Sequence, residues 1–292
     1  MARLVTVKNL PADCEVAITS DWHSGARAHH SEALDQLVDW LRAKKRRYMG
    51  FGGDAVEGKP ADHPHLDVDA LHRDQIKIEE QFDVVRKKIE PVKDKILWWG
   101  LGNHDIYLSR DVHMVKRCIT DPLGISHRLG DYQTWVDLGH FRLHSYHGRA
   151  TMPRGAKDAI QREANQRAWL KNRLEGLAGD CLVHTMGHVH ALMVQPPTES
   201  YALLCKGDQV RARYFREPIQ KVSTRDHNGA LDERYFVPPT SRWYVCSGTL
   251  RRSGGFGFTD YAEIAGYPPS PIGWAKMIVQ AGTVADIEKV IV

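Results

Sequence analysis

Glu15-Val16-Ala17-Ile18-Thr19-Ser20-Asp21-Trp22-His23 passes from a short apolar run directly into a carboxylate and an imidazole. Such a run reads as a buried strand, and its end delivers two side chains of metal-ligand type. The design recurs four times along the chain. Arg47-Tyr48-Met49-Gly50-Phe51 leads into Gly53-Asp54, and Ile96-Leu97-Trp98-Trp99 leads into Gly102-Asn103-His104-Asp105. Phe141-Arg142-Leu143 leads to His144 and His147-Gly148, and Cys181-Leu182-Val183 leads to Gly187-His188-Val189-His190. Between the runs lie segments with apolar residues at helical spacing. These are Glu32 to Lys45, with Leu34, Leu37, Trp40 and Leu41 on one face, then Leu71 to Ile89 and Gln161 to Leu177. Short apolar strands alternating with amphipathic helices predict an α/β fold with buried sheets, whose functional groups gather on loops beyond the strand carboxyl ends. All five clusters fall on such loops.

Spacing suggests which side chains share an ion. Asp21 and His23 are two residues apart, so in an extended segment both leave the chain on one side. His188 and His190 have the same spacing. Asp54 has two carboxylate oxygens and could bridge two ions, which paired-metal hydrolases hold about 3.5–4 Å apart. Asn103 adds a neutral carbonyl oxygen. A mixed His, Asp and Asn set suits Mn, Fe or Zn better than Mg or Ca and leaves the choice among the three open.

Taken in order, D-x-H, G-D, G-N-H-D, H and G-H-x-H resemble the calcineurin-like metallophosphoesterase superfamily, over about the first two thirds of the chain. The resemblance implies a four-layer αββα sandwich of two mixed β-sheets flanked by helices. It implies one metal held by Asp21, His23, Asp54 and His190 and a second held by Asp54, Asn103, His147 and His188. His104 would contact the phosphoryl group and protonate the departing oxygen, with Asp105 orienting it. Two cations sharing a water or hydroxide would direct it at phosphorus without a covalent intermediate.

No nucleophilic cysteine is needed. Cys14, Cys118, Cys181, Cys205 and Cys246 show no CxxC spacing, and all but Cys118 sit in or beside apolar runs as small core residues would. Of sixteen histidines, His144 competes with His147 for the fourth cluster, and the glycine after His147 favours the latter. His184 reads as a hydrogen-bonded core residue or a partner of a ligand. His29, His30, His63, His65, His72, His113 and His227 read as surface or loop residues, with His63 and His65, close beyond the Asp54 loop, the ones that could touch substrate.

The 292-residue chain carries a formal net charge of +4 and a pI near 8.7, which is too mildly basic to indicate nucleic acid by itself. It contains no apolar stretch of membrane-spanning length, and Met1 to Leu10 lacks the pattern of a secretory signal. A cytoplasmic protein with reduced thiols, without an obligate protein partner, is the expectation. Residues 1–292 read as a single domain, with 195–240 as an insertion or cap, since Pro196-Pro197, Gly207-Asp208, Asp226-His227-Asn228-Gly229 and Pro238-Pro239 break it into charged and aromatic pieces.

Arg149, Arg154 and Lys157 follow His147, and Arg251 and Arg252 follow a returning apolar run, Trp243 to Cys246. These are candidate contacts to phosphate oxygens. Asn103 lies where it could also touch substrate, and Trp22 could offer a ring for base stacking or pack beneath the site. Family members acting on phosphoproteins look like GDxxDRG and GNHE. Here the stretches are Gly53-Asp54-Ala55-Val56-Glu57-Gly58 and Gly102-Asn103-His104-Asp105, closer to the phosphodiesterase and nuclease branches. Ser247 to Arg252 with Gly266-Tyr267-Pro268-Pro269 is similar to bacteriophage-encoded phosphoesterases. The expected substrate is a phosphate diester of a nucleotide or nucleic acid. A low-selectivity phosphomonoesterase is the alternative, and a non-catalytic scaffold on the same fold is the third reading.

Overall fold

The apolar runs become strands close to their expected places in the computed structural model, which describes residues 3–60, 62–63, 66–107, 114–153, 155–226, 228–254, 261–264 and 269–292. The order begins β1 (Arg3–Thr6), β2 (Cys14–Thr19), β3 (Arg47–Phe51), β4 (Ile96–Trp99), β5 (Gln133–Asp137), β6 (Arg142–Tyr146), β7 (Val183–Met186) and β8 (Leu192–Gln195). Two hairpins follow, β9 (Ser200–Lys206) with β10 (Gln209–Phe215) and β11 (Gln220–Arg225) with β12 (Leu231–Phe236). The chain returns through β13 (Trp243–Thr249), β14 (Gly273–Gln280) and β15 (Thr283–Ile291).

One group of strands runs β1-β5-β6-β7-β13 with β8 on β13, and the other runs β14-β2-β3-β4 with β15 on β14. The resemblance implies two sheets, yet here hydrogen bonding joins them. Gly248 and Thr249 of β13 pair with Trp274 and Gly273 of β14, so one eleven-stranded ladder runs through both groups.

The layering follows from which face each side chain takes. Along β2 the pleat sends Val16 and Ile18 inward against Val136, Leu143, Val183 and Val245 of the other group. Ala17, with Met49 and Phe51 of β3, faces outward against α1 (Ser31–Ala43) and α2 (Ile78–Ile89). The short α3 (Asn103–Tyr107) follows β4. On the far side, Met186, Tyr244 and Cys246 pack on Leu170 and Leu174 of α4 (Ala159–Leu174). The result is helix, sheet, sheet, helix, a mixed α/β sandwich. Each fully buried aliphatic or aromatic side chain contributes about 1.5–3 kcal/mol, so the three apolar interfaces hold the strand ends in place. Gly50 permits one close approach, because a Cβ there would stand 2.0 Å from the Trp98 ring.

Helix starts are set by polar side chains. His30 accepts from Ala33 N at 3.3 Å at the head of α1, and Asp158 accepts from Gln161 N at 2.8 Å at the head of α4. The second helix begins at Ile78 instead of Leu71. Lys77 N donates to Glu80 Oε2 at 3.0 Å and closes the first turn there, while Leu71 is drawn into a bridge with Ala26. Cys14, Cys181 and Cys246 are buried as expected, but Cys205 is exposed on β9. Among the described residues no helix is long and apolar enough to cross a membrane.

Candidate metal centre

The loops leaving β2 and β3 are stitched together through their backbones. Asp21 N donates to Gly53 O and Trp22 N to Asp54 O, both at 2.9 Å, and Gly52 N donates to Thr19 O at 2.8 Å. Leu250 N and Thr249 Oγ1 reach Asp21 O from the end of β13, at 3.2 and 2.8 Å. Three separate chain segments thereby converge on one point.

Their backbones pay a conformational cost to do so. Among the described residues, seven non-glycine residues have positive φ, and five of them are candidate ligands: Asp21 (53°), His23 (50°), Asp54 (58°), His188 (67°) and His190 (50°). Left-handed backbone costs about 1 kcal/mol or more per such residue and persists where surrounding structure imposes it. This corrects the expectation that Asp21 with His23, and His188 with His190, share a side because their segments are extended. They converge because the chain curls at each candidate ligand. Gly102 is required beside them, since a Cβ there would stand 2.0 Å from Asp54 Oδ1.

Among the described residues the expected ligands fall into two abutting groups, Asp21 with His23 and His190, and Asp54 with His147 and His188, while a third donor group joins His23 to Glu57 and His104. In the first, His23 Nε2 stands 3.0 Å from His190 Nε2, and Asp21 Oδ1 is 3.9 and 3.4 Å from the two rings. In the second, Asn103 Oδ1 is 2.8 Å from His188 Nδ1 and 3.1 Å from His147 Nε2. Asp54 lies between the groups, with Oδ2 3.0 Å from His147 Nε2 and 3.9 Å from His23 Nε2. Ring nitrogens that face each other and buried carboxylate oxygens fit shared divalent cations, and the imidazole share of the set fits a transition metal.

Other side chains hold these donors. His147 Nδ1 bonds Gly52 O at 2.9 Å, and His188 N donates to both oxygens of Asp21 at 3.0 Å. His23 Nδ1 meets Glu57 Oε2 at 3.0 Å, and Glu57 Oε1 meets Lys59 at 2.7 Å. A carboxylate on the far nitrogen of a ligating histidine orients its ring. Glu57 went unrecognised in the sequence, where its one signal is a carboxylate three residues after Asp54 in an otherwise apolar stretch.

Electrostatics separates the groups further. Burial alone would lower the His147 pKa, but the charges of Asp54 and Asp21 hold it up at about 9. Burial pulls His23 down to about 4 in spite of Glu57. Burial and then the Asp54 charge raise Asp105 to about 7. Against burial, Asp54 and Glu57 raise His104, and the surrounding histidines hold Asp54 low.

His104 sits beside Asp54, donating its backbone N–H to Oδ1 at 2.9 Å, and its Nδ1 bonds the Glu57 carbonyl. Asp105 was expected to orient the His104 ring. Its Oδ2 instead accepts from Asp54 N at 2.8 Å and Gly102 N at 2.7 Å, which braces the two loops. Trp22 is fully buried against Phe51, with ring centroids 4.4 Å apart, and Nε1 donates to Thr19 Oγ1. No base can stack on it.

Arg149 is exposed two residues beyond His147, and Lys157 is exposed too. Arg251 is buried and bridges His29, so it is no open-loop cation. Arg154, His65, His113, His227 and residues 266–268 lie outside the described residues. His29, read as a surface residue, is buried with Nδ1 on the Trp22 carbonyl at 2.7 Å. His184 is a buried core residue as expected, and His144 beside it is buried with neither ring nitrogen hydrogen-bonded.

An αββα sandwich with histidine, carboxylate and amide donors gathered at its strand ends defines a metallophosphoesterase. The family model of the calcineurin-like phosphoesterases matches residues 15–218, more than half of the chain, and the protein belongs to that family. No curated protein sequence matches it. Solved structures similar to it include a conserved uncharacterized protein, a predicted phosphoesterase, from Streptococcus pneumoniae TIGR4, at 11% identity over 92% of this chain and 85% of that one, with a TM-score of 0.34. Another is the nuclease MPE of Pseudomonas putida, at 15% identity over 92% of this chain and 85% of that one, with a TM-score of 0.32.

Proposed function

We propose that this phosphoesterase hydrolyses phosphate diesters of nucleotides or nucleic acid with two divalent cations, Mn foremost and Fe or Zn as alternatives. The observation that carries the reading is the placement of Asp54 between two donor groups with His104 bonded to it. Asp21, His23, Asp54 and His190 would hold one cation, and Asp54, Asn103, His147 and His188 the other. When bound, the pair would supply positive charge to the phosphoryl oxygens and make water a better nucleophile.

The protein's own residues do the rest. Asp54 and Glu57 favour the protonated form of His104. With Nδ1 committed to the Glu57 carbonyl, Nε2 is the nitrogen left to give a proton to the departing oxygen. Asp105 keeps the Asp54 and Gly102 loops in register. Arg149, exposed two residues beyond His147, would offer its guanidinium to a non-bridging oxygen.

Diesters are favoured over monoesters by the side chains that follow Asp54. Members that grip a phosphomonoester resemble GDxxDRG, whereas here Glu57 turns to His23 and the next cation, Lys59, is spent on Glu57. Metal-stripped protein resupplied with Mn should turn over bis-nitrophenyl phosphate and single-stranded DNA faster than mono-nitrophenyl phosphate. Faster monoester turnover would reassign it as a phosphomonoesterase.

A further inference from the structure

The hairpin formed by β9 and β10 is exposed on both faces among the described residues, and one of the two carries no charge. Its antiparallel register sets Tyr201 opposite Tyr214, Leu203 opposite Ala212 and Cys205 opposite Val210. Directly opposed residues project to the same side, and the tyrosine rings confirm it with centroids 4.5 Å apart. All six residues are uncharged and largely apolar. The basic residues Arg211 and Arg213 take the other face, opposite Leu204 and Ala202.

Tyr201 is 60% exposed, Leu203 70%, Val210 61% and Tyr214 70%. The two strands pack chiefly on each other, and an isolated two-stranded hairpin is marginal in water. A face of this kind marks a contact surface.

We infer that the Tyr201-Leu203-Val210-Tyr214 face is where a second copy of this chain docks, hairpin on hairpin, about a two-fold axis. Three features select that occupant. The face carries no charge, so setting it against its own copy brings no like charges together, and a two-fold interface must be self-complementary. Nucleic acid would need cations, and the hairpin's arginines are on the opposite side. The area also suffices. Taking about 150–250 Å² for a whole aromatic side chain, these exposures leave on the order of 500 Å² open on each copy. Two copies together bury about 1,000 Å², the lower limit for a specific interface. Packing the two hairpins makes a four-stranded sandwich that covers both apolar faces. An interface of that size forms a dimer that dissociates on dilution.

Sedimentation or light scattering of the full chain over a concentration series should show the mass rising from 33.1 kDa toward twice that value. Leu203→Glu should hold it at one chain, while Arg211→Glu with Arg213→Glu should dimerise like the unaltered protein. A mass that stays at one chain at every concentration, or dimerisation that survives Leu203→Glu, would overturn the inference. So would loss of the dimer on reversing the two arginines, which would put the interface elsewhere. Should Leu203→Glu fail to fold, the unaltered protein still decides. Cys205 is the exposed thiol of the five, so its alkylation rate should fall severalfold as the chain is concentrated, and a constant rate refutes the contact. An oligonucleotide that protects Cys205 while the mass remains that of one chain would assign the face to nucleic acid and overturn the dimer.

Discussion

His144 and His147 leave one strand three residues apart, and their surroundings are opposites. His144 lies within β6, in register with His184 of β7, its ring 4.6 Å from Trp135 and 5.5 Å from His184. Neither ring nitrogen finds a partner, and burial pushes the pKa to about 4, with His184 at about 3. His147 lies just past the strand end. There Gly52 offers a carbonyl and Asp54 and Asn103 offer oxygens, and its pKa stands at about 9. Both are buried imidazoles. What differs is whether chain ends bring free oxygens to them, and that separates a candidate cation ligand from a core histidine.

The largest test removes the oxygen between the donor groups. Asp54→Ala should abolish retention of both cations and lower turnover by on the order of 10³-fold or more, beyond the roughly 10–100-fold expected for loss of an outer partner. Elemental analysis finding two ions per chain in that variant would refute the shared role. His104→Ala is next, with turnover falling roughly 10²–10⁴-fold and metal content unchanged. Undiminished turnover would dismiss it as the proton donor.

The core histidines should report through acid stability. A histidine whose folded pKa is depressed contributes no loss above the unfolded value near 6.5, and stability then falls as pH drops from 6.5 toward 4. For metal-free protein, His144→Leu should shrink the difference in urea-unfolding free energy between pH 7 and pH 5 by about 2 kcal/mol. An unchanged difference would mean that the ring already finds a partner.

His147 has the opposite sign. Raised to about 9, its pairing with Asp54 stabilises the metal-free protein below pH 6.5, and that contribution is lost as pH rises through 9. A cation must displace the proton, so Mn affinity should climb by up to about tenfold per pH unit below 9. Calorimetry in buffers of different ionisation enthalpy would register the proton, and a pH-independent affinity would remove His147 from the cation's shell. The smallest effect belongs to Arg149. Its replacement by Ala should reduce the salt slope of DNA binding by about one, and an unaltered slope would return it to the solvated surface.

Much of this was legible before folding. β3 and β4 coincide with their apolar runs, and β2 and β13 extend theirs by a few residues, because pleat and burial are local patterns. Boundaries drifted where a particular side chain intervened, as at α2, where Glu80 closes the first turn from three residues away and Gln81 reaches back to Gly58 N. Trp22 could be read two ways, since nothing in a D-W-H triplet says which side of the tryptophan is sealed. Phe51 and Trp99 seal it from two other strands.

What the amino-acid order determined by itself is an inventory with an address: strand-forming runs, each ending in ligand-type side chains, because hydrophobic periodicity and the residues that interrupt it act over a few neighbours. Tertiary structure alone decided that the candidate ligands curl into left-handed backbone, that Glu57 turns to His23 while Asp105 braces two loops, and that a hairpin presents a bare apolar face. Those outcomes depend on groups separated by tens to hundreds of residues meeting within a few ångströms, and no local pattern encodes which of them will meet.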